Sequence, residues 1–258
     1  MLLYIFAAAK YCSPGAIQAN CASVSVICGD NWGQCAGVQL ALQRTAAFTT
    51  VDAFDAFSST PSLSYLSGFD AVFVFSAITF SDASLLGNRL ATYYEGGGGV
   101  VVALYANANF AGNFLQGTFG TAVNGYALLD YSSGSYTSSA DSLGQLLEPQ
   151  SPLLKSVNSI STSVAQSTAS IIGGRALVVA KWQGGAPFVL RGARGNRTLV
   201  ELNFYPGLYE HFDQWAEDAA RLMRNALKYS RCIDTGELRM RAMALATWPT
   251  ILQQFLTQ

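Results

Sequence analysis

The stretch Gly97-Gly98-Gly99-Val100-Val101-Val102-Ala103-Leu104-Tyr105 decides the fold. Val100 to Tyr105 carries no charged or strongly polar residue at alternate places, as a half-exposed antiparallel strand would. An unbroken apolar run of this length reads as a strand buried on both faces, the condition of a parallel sheet. The run Gly96 to Gly99 ends a preceding helix and makes a tight turn. It enters a strand instead of leading from a strand into a helix, so it is neither a P-loop nor a dinucleotide fingerprint, and no cofactor is expected.

Outward from this strand the same grammar repeats. Upstream, Ser81 or Asp82 can cap a helix with Leu85, Leu86, Leu90 and Tyr93 on one side. Before it lie the strand Ala71 to Phe75, one helical turn at Leu63 and Leu66 after the turn residues Ser59 to Ser62, and a strand from Thr49 to Phe54. A short amphipathic helix from Gln34 to Thr45, with Val38 and Leu42 at helical spacing, follows the first core strand, Ser23 to Cys28, and its closing Gly29-Asp30-Asn31. Apolar strands alternating with helices predict an α/β fold, a doubly wound, flavodoxin-like, mostly parallel sheet with helices on both faces.

Downstream the period changes. Ala106 to Ser139 has no helical repeat and reads as a long loop with one or two hairpins, whose aromatics are expected at the surface. Ser151 to Leu154 reads as a loop with an apolar anchor. Ala176 to Trp182, Pro187 to Arg191 and Thr198 to Phe204 predict an antiparallel meander extending the sheet. A helix from Asp213 to Tyr229 follows, and Thr235 to Gln258 predicts two helical pieces broken before Pro249. The chain divides into an extension over 1–21, an α/β domain over 22–230 and a helical extension over 231–258.

Charged residues make up 12% of the 258 residues and net charge is −1. That is about half the usual charged share. With Lys and Arg scattered, the footprint of a nucleic-acid binder is missing. The apolar run Leu2 to Ala9 is too short for a transmembrane segment, which needs about 20 residues, and it lacks a basic residue ahead of it. It reads as an added strand or docking segment, not a signal peptide. A weakly charged surface fits a subunit covered inside an intracellular assembly, with an extracellular protein as the alternative. Five cysteines, Cys12, Cys21, Cys28, Cys35 and Cys232, show no metal-ligand spacing, and Cys28 is expected as a buried, inert thiol. Asn196-Arg197-Thr198 is the only glycosylation sequon.

Several phrases in order carry a family likeness: Thr60-Pro61-Ser62-Leu63 with Phe69-Asp70-Ala71-Val72, Leu86-Gly87-Asn88-Arg89-Leu90-Ala91-Thr92-Tyr93, the Gly97 to Val102 entry, Ala176-Leu177-Val178-Val179-Ala180, Val200-Glu201-Leu202-Asn203-Phe204-Tyr205-Pro206 and Ala220-Arg221-Leu222-Met223-Arg224-Asn225-Ala226-Leu227. Over roughly residues 22 to 230 the chain resembles the class I glutamine amidotransferase-like fold, above all its enlarged extracellular bacterial branch and the trehalose-utilisation-type domains. The resemblance implies a nucleophilic cysteine at an elbow after Val100 to Tyr105 and a His-Pro-Glu sequence after the late strand. Here the elbow is Tyr105 or Ala106, the histidine position is Tyr205 and the glutamate position Gly207. A tyrosine supplies no thiolate and is a poor base at neutral pH. Amidotransfer at this site is not expected, and no catalytic residue is assigned.

In an open parallel sheet, ligands bind beyond the C-terminal strand ends. Asp30, Asn31, Ser76, Tyr105, Asn107, Asn109, Tyr205 and His211 are therefore the candidate crevice residues, although Asp, Asn and Ser also cap helices and shape turns at such places in any fold of this type. Glu210, the single histidine His211 and Asp213 form the one cluster fit for acid–base work, but no nucleophile motif accompanies it and adjacent positions rarely converge on a metal. No metal site is assigned. The expectation is a non-catalytic amidotransferase-like domain that binds other protein subunits through its loops and apolar terminal extensions; the alternative is a carbohydrate-binding or carbohydrate-active protein using the crevice.

Overall fold

The computed structural model describes residues 21–109, 112, 114–133, 136–137, 139–162, 166–195, 197–207 and 217–231. Element order is β1 (Ser23–Gly29), α1 (Trp32–Arg44), β2 (Thr50–Asp55), α2 (Leu63–Leu66), β3 (Ala71–Ser76), α3 (Ala83–Glu95), β4 (Gly99–Ala103), α4 (Gly117–Gly120), β5 (Tyr136–Thr137), β6 (Asp141–Leu146), a 3-10 turn (Pro152–Leu154), β7 (Ser161–Thr162), β8 (Gln166–Ser167), β9 (Ala176–Trp182), β10 (Pro187–Arg194), β11 (Arg197–Leu202) and α5 (Glu217–Ser230). Nine strands form one mixed sheet in the order β2-β1-β3-β4-β11-β10-β9-β6-β7. The five strands from β2 to β11 pair in parallel, and from β11 onward the pairing is antiparallel. This is the expected flavodoxin-like α/β sheet with its meander.

Alternate residues of each central strand face opposite sides of the sheet. On one side Val24, Val26, Phe73, Phe75, Val101, Val200 and Leu202 pack under α1, through Cys35, Val38 and Leu42, and under α5, through Leu222, Met223, Ala226 and Leu227. On the other side Ile27, Val72, Val74, Val100, Val102 and Leu199 pack under α3, through Leu86 and Leu90. Side-chain caps start both long helices of the parallel half, at Asp82 as the sequence implies and at Asn31, with α1 beginning two residues earlier than the spacing places it. The Asn31 side chain accepts from the Gln34 amide at the start of α1, and Asp82 accepts from the Leu85 amide at the start of α3. After α3 the chain turns at Gly97, whose φ of 110° suits only glycine, and passes so close to the Tyr93 ring that a Cβ at Gly98 would lie 2.0 Å from it.

Three readings are corrected. The stretch 106–139 is not a loop with local hairpins: it contains α4, and its strand residues Tyr136–Thr137 pair with Ser167 and Gln166. Its aromatics Phe119, Tyr126 and Tyr131 are buried, not surface contacts. They cover the sheet face beside α3, and burial is tolerable because the Tyr126 hydroxyl donates to Glu95 and that of Tyr131 to Glu201. Cys28 is not a free thiol; it forms a disulfide with Cys35, while Cys21 is free and buried. Strand β6 was not foreseen, and it extends the sheet along β9. Cys12, Cys232, the sequon's Asn196 and both terminal extensions up to residue 20 and beyond residue 231 lie outside the described residues.

Candidate functional site

Strand β1 has β2 on one side and β3 on the other, so the sheet's topological switch point lies between β1 and β3. Asp30 follows β1 and Ser76 ends β3 at this point. The mouth is closely knit. The Gly29 carbonyl accepts from the amides of Ile78 and Thr79, at 3.1 Å each, and a Cβ at Gly29 would lie 2.7 Å from the Thr79 carbonyl oxygen. The Cys28–Cys35 disulfide spans the residues that carry Asp30 and Asn31, fixing the end of β1 to the first turn of α1.

Within this frame the Tyr205 hydroxyl donates a short hydrogen bond to Asp30 Oδ2, while Oδ1 accepts from the Asn31 amide at 2.7 Å. Asp30 is 3% exposed and Tyr205 7%. Burial raises the Asp30 carboxyl above the usual carboxylate range, against the opposing pull of Tyr205 and the Asn31 amide. Burial and the facing Asp30 carboxyl push the Tyr205 hydroxyl far upward. A Cβ at position 207 would lie 2.5 Å from the Tyr205 hydroxyl oxygen, so glycine there matches the placement of this tyrosine.

Tyr105 completes the group. Its ring centroid lies 5.7 Å from that of Tyr205 and 5.2 Å from that of Tyr136, the latter edge-on. Its amide donates to the Ser76 carbonyl at 2.8 Å, which ties the end of β4 to the end of β3. Burial pushes its hydroxyl up to about 12.

The structure thus brings Asp30, Asn31, Tyr105 and Tyr205 together, with buried Ser76 behind them. It does not bring in Asn107, which is buried and turned toward Glu201, or Asn109, which is exposed and accepts from the Gly112 amide. His211, with Glu210 and Asp213, lies outside the described residues. Among the described residues no group of three His, Cys, Asp or Glu side chains is placed to hold a metal, and no helix is long and apolar enough to cross a membrane.

No protein-family model matches the chain, and no curated protein matches it in sequence. Solved structures do. A ThuA-like protein from Bacteroides uniformis superposes with a TM-score of 0.54 at 16% identity, over 86% of this chain and 94% of that one. A glutamine amidotransferase from Thermotoga maritima superposes with a TM-score of 0.50 at 10% identity, over 82% of this chain and 99% of that one. The fold is the amidotransferase-like one. At these identities the likeness extends to the fold alone.

Sequence reasoning missed two features. One is the disulfide, whose only signal was a cysteine at a strand end and another seven residues on, in the first turn of a helix. The other is Glu201, a carboxylate inside an apolar strand. It is 2% exposed, accepts from the Leu128 amide and the Tyr131 hydroxyl at 2.6 Å each, and is raised by burial to about 7.

Proposed function

We propose that the chain is a non-catalytic amidotransferase-like domain serving as a structural or protein-interaction subunit of a larger assembly. The observation that carries this reading is the buried bond from Tyr205 to Asp30. At the places where the resembled enzymes keep a nucleophile and a base, this chain has Tyr105 or Ala106, and Tyr205. Both hydroxyls are pushed up by burial, so neither ionises to act as nucleophile or base near neutral pH. Gly207 stands at the position of the third group and leaves room for the Tyr205 hydroxyl. The ancestral reaction's positions are spent on holding strand ends together.

An outward-facing role is supported by the rim. Phe57 after β2, Trp32 after β1 and Ile78 after β3 are 44%, 53% and 43% exposed at the ends of three neighbouring strands. Large exposed side chains gathered at one edge mark contact surfaces, whereas scattered ones do not. Light scattering on the protein isolated from its own cells tests this: a mass well above the 27.5 kDa of one chain is expected. It should fall toward that of the lone chain in a Trp32→Ser, Phe57→Ser, Ile78→Ser variant. A monomer at working concentration in both cases would contradict the reading.

A specific observation also favours the carbohydrate alternative: the Trp32 ring lies open to solvent one residue from the exposed Asn31. An exposed aromatic beside an amide can stack on a sugar ring and bond its hydroxyls. A glycan array with the native protein and Trp32→Ala separates the two readings, since glycan binding lost in the variant would favour the alternative and silence in both would remove it.

A further inference from the structure

Beneath the crevice, on the α3 side of the sheet, Glu201 is placed unevenly. Both of its strong donors, the Leu128 amide and the Tyr131 hydroxyl, reach Oε1. Oε2 is buried without a well-formed hydrogen bond, and so are both Oδ1 and Nδ2 of Asn107, a fully buried residue close by; the Leu129 amide and the Asn107 side chain favour the charged carboxyl, but burial outweighs them. The register neighbours of Glu201 are Val102 on β4 and Leu190 on β10. From the loop, Tyr131 is the facing titratable group, Arg175 is committed to the Ala127 carbonyl, and Asp130 to Ser132.

A buried carboxylate with one bare oxygen is costly, whereas a carboxylic acid in the same place has a hydrogen to give. Protonated on Oε2, Glu201 can donate to Asn107 Oδ1 while Oε1 keeps both existing bonds, and two unpartnered oxygens are satisfied together. We propose that Glu201 is stored as a neutral carboxylic acid bonded to Asn107, forming a proton-dependent latch that fastens the chain following β4 to β11. The step is uptake of one proton from water; no other bond changes. Its consequences reach the crevice along the chain, because Asn107 lies two residues after Tyr105 and its carbonyl accepts from Ser167, whose amide donates to Asn203, two residues before Tyr205.

The sign of the effect follows from linkage. Burial raises the Glu201 carboxyl from an ordinary 4.5 to about 7, so between those values the folded chain holds a proton that the unfolded chain has lost. In the folded chain the latch stays closed until pH approaches the upper value; its contribution to stability is full below the lower value, falls as pH rises between the two and is lost above the upper one. Chemical unfolding of the native chain and Glu201→Gln, followed from about pH 4.5 to about pH 7.5, tests this. Gln keeps an acceptor for Leu128 and Tyr131 and a donor for Asn107 at every pH. The ratio of the two unfolding constants, native over variant, should rise roughly 100-fold across this range. A ratio that stays flat overturns the proposal. Infrared spectroscopy of the folded native chain decides the matter even if the variant does not fold. A protonated carboxyl band still present near pH 6 and lost near pH 7 supports the latch, and a spectrum with every carboxyl ionised from pH 5.5 upward overturns it.

Discussion

Among the described residues, two buried acid–tyrosine pairs lie on opposite sides of the same sheet, and they are built differently. In the crevice, Asp30 receives one donor on each oxygen, Tyr205 on Oδ2 and the Asn31 amide on Oδ1, at the rim of the domain. Under the β11 strand, Glu201 receives the Leu128 amide and the Tyr131 hydroxyl on one oxygen and no well-formed hydrogen bond on the other, in full burial. Both carboxyls are raised by desolvation, but only the first has hydrogen bonds on both oxygens to support its charge. The difference teaches that the same residue pairing serves two ends: a charged fastening between strand ends in one place and a proton store in the other.

The comparison can be broken in several ways. The largest effect is expected at Glu201, where a rise from 4.5 to about 7 corresponds to about 3 kcal/mol of folding stability, present below pH 4.5 and lost by pH 7. Denaturant titrations of the native chain against Glu201→Gln at both ends of that range measure it. Removing the Cys28–Cys35 bridge with a Cys28→Ser, Cys35→Ser double variant should cost about 2.5 kcal/mol for a loop of this length, read as a lower denaturation midpoint. A structural disulfide belongs to oxidising surroundings, which fits the extracellular of the two settings the composition allows. Thiol titration of the unfolded, unreduced protein should accordingly find Cys28 and Cys35 blocked.

Tyr205→Phe leaves Asp30 Oδ2 without its donor and should cost about 1.5–2 kcal/mol, the worth of a hydrogen bond to a charged group. Asp30 shares the sign of Glu201: its raised carboxyl favours the folded chain at low pH, and that contribution fades as pH climbs through its folded value. The smallest effect is expected at Trp32→Ala. At 53% exposure the ring contributes little to the core, so stability should move by under about 0.5 kcal/mol while partner or glycan binding changes.

The parallel half of the sheet was legible because burial on both faces writes itself as unbroken runs such as Val100 to Tyr105 and Ala71 to Phe75. Helices α1 and α3 were legible from spacing, and α3 also from its cap Asp82. Strand β6 was not, because Asp-Ser-Leu-Gly-Gln-Leu has too few apolar residues to announce a strand, and its place is set by pairing along β9. The aromatics of 114–131 were placed outside because an irregular stretch was equated with surface; hydrogen bonds donated by the Tyr126 and Tyr131 hydroxyls to distant Glu95 and Glu201 make their burial tolerable. At the site, the strand-end rule found Asp30, Tyr105 and Tyr205, but no spacing in the sequence could show that Tyr205 bonds Asp30 across 175 residues. Glu201 was hidden for the same reason, since its donors come from residues 70 and more positions away.

The central claim is that the crevice residues hold the fold together and perform no chemistry. A double-mutant cycle with Asp30→Asn and Tyr205→Phe, with stability and glutamine hydrolysis measured on all four proteins, tests it most directly. The account predicts a coupling of at least about 1 kcal/mol between the two residues and no ammonia release from glutamine by any of the four. Independent effects on stability, together with a hydrolytic activity in the native chain that either substitution abolishes, would contradict it.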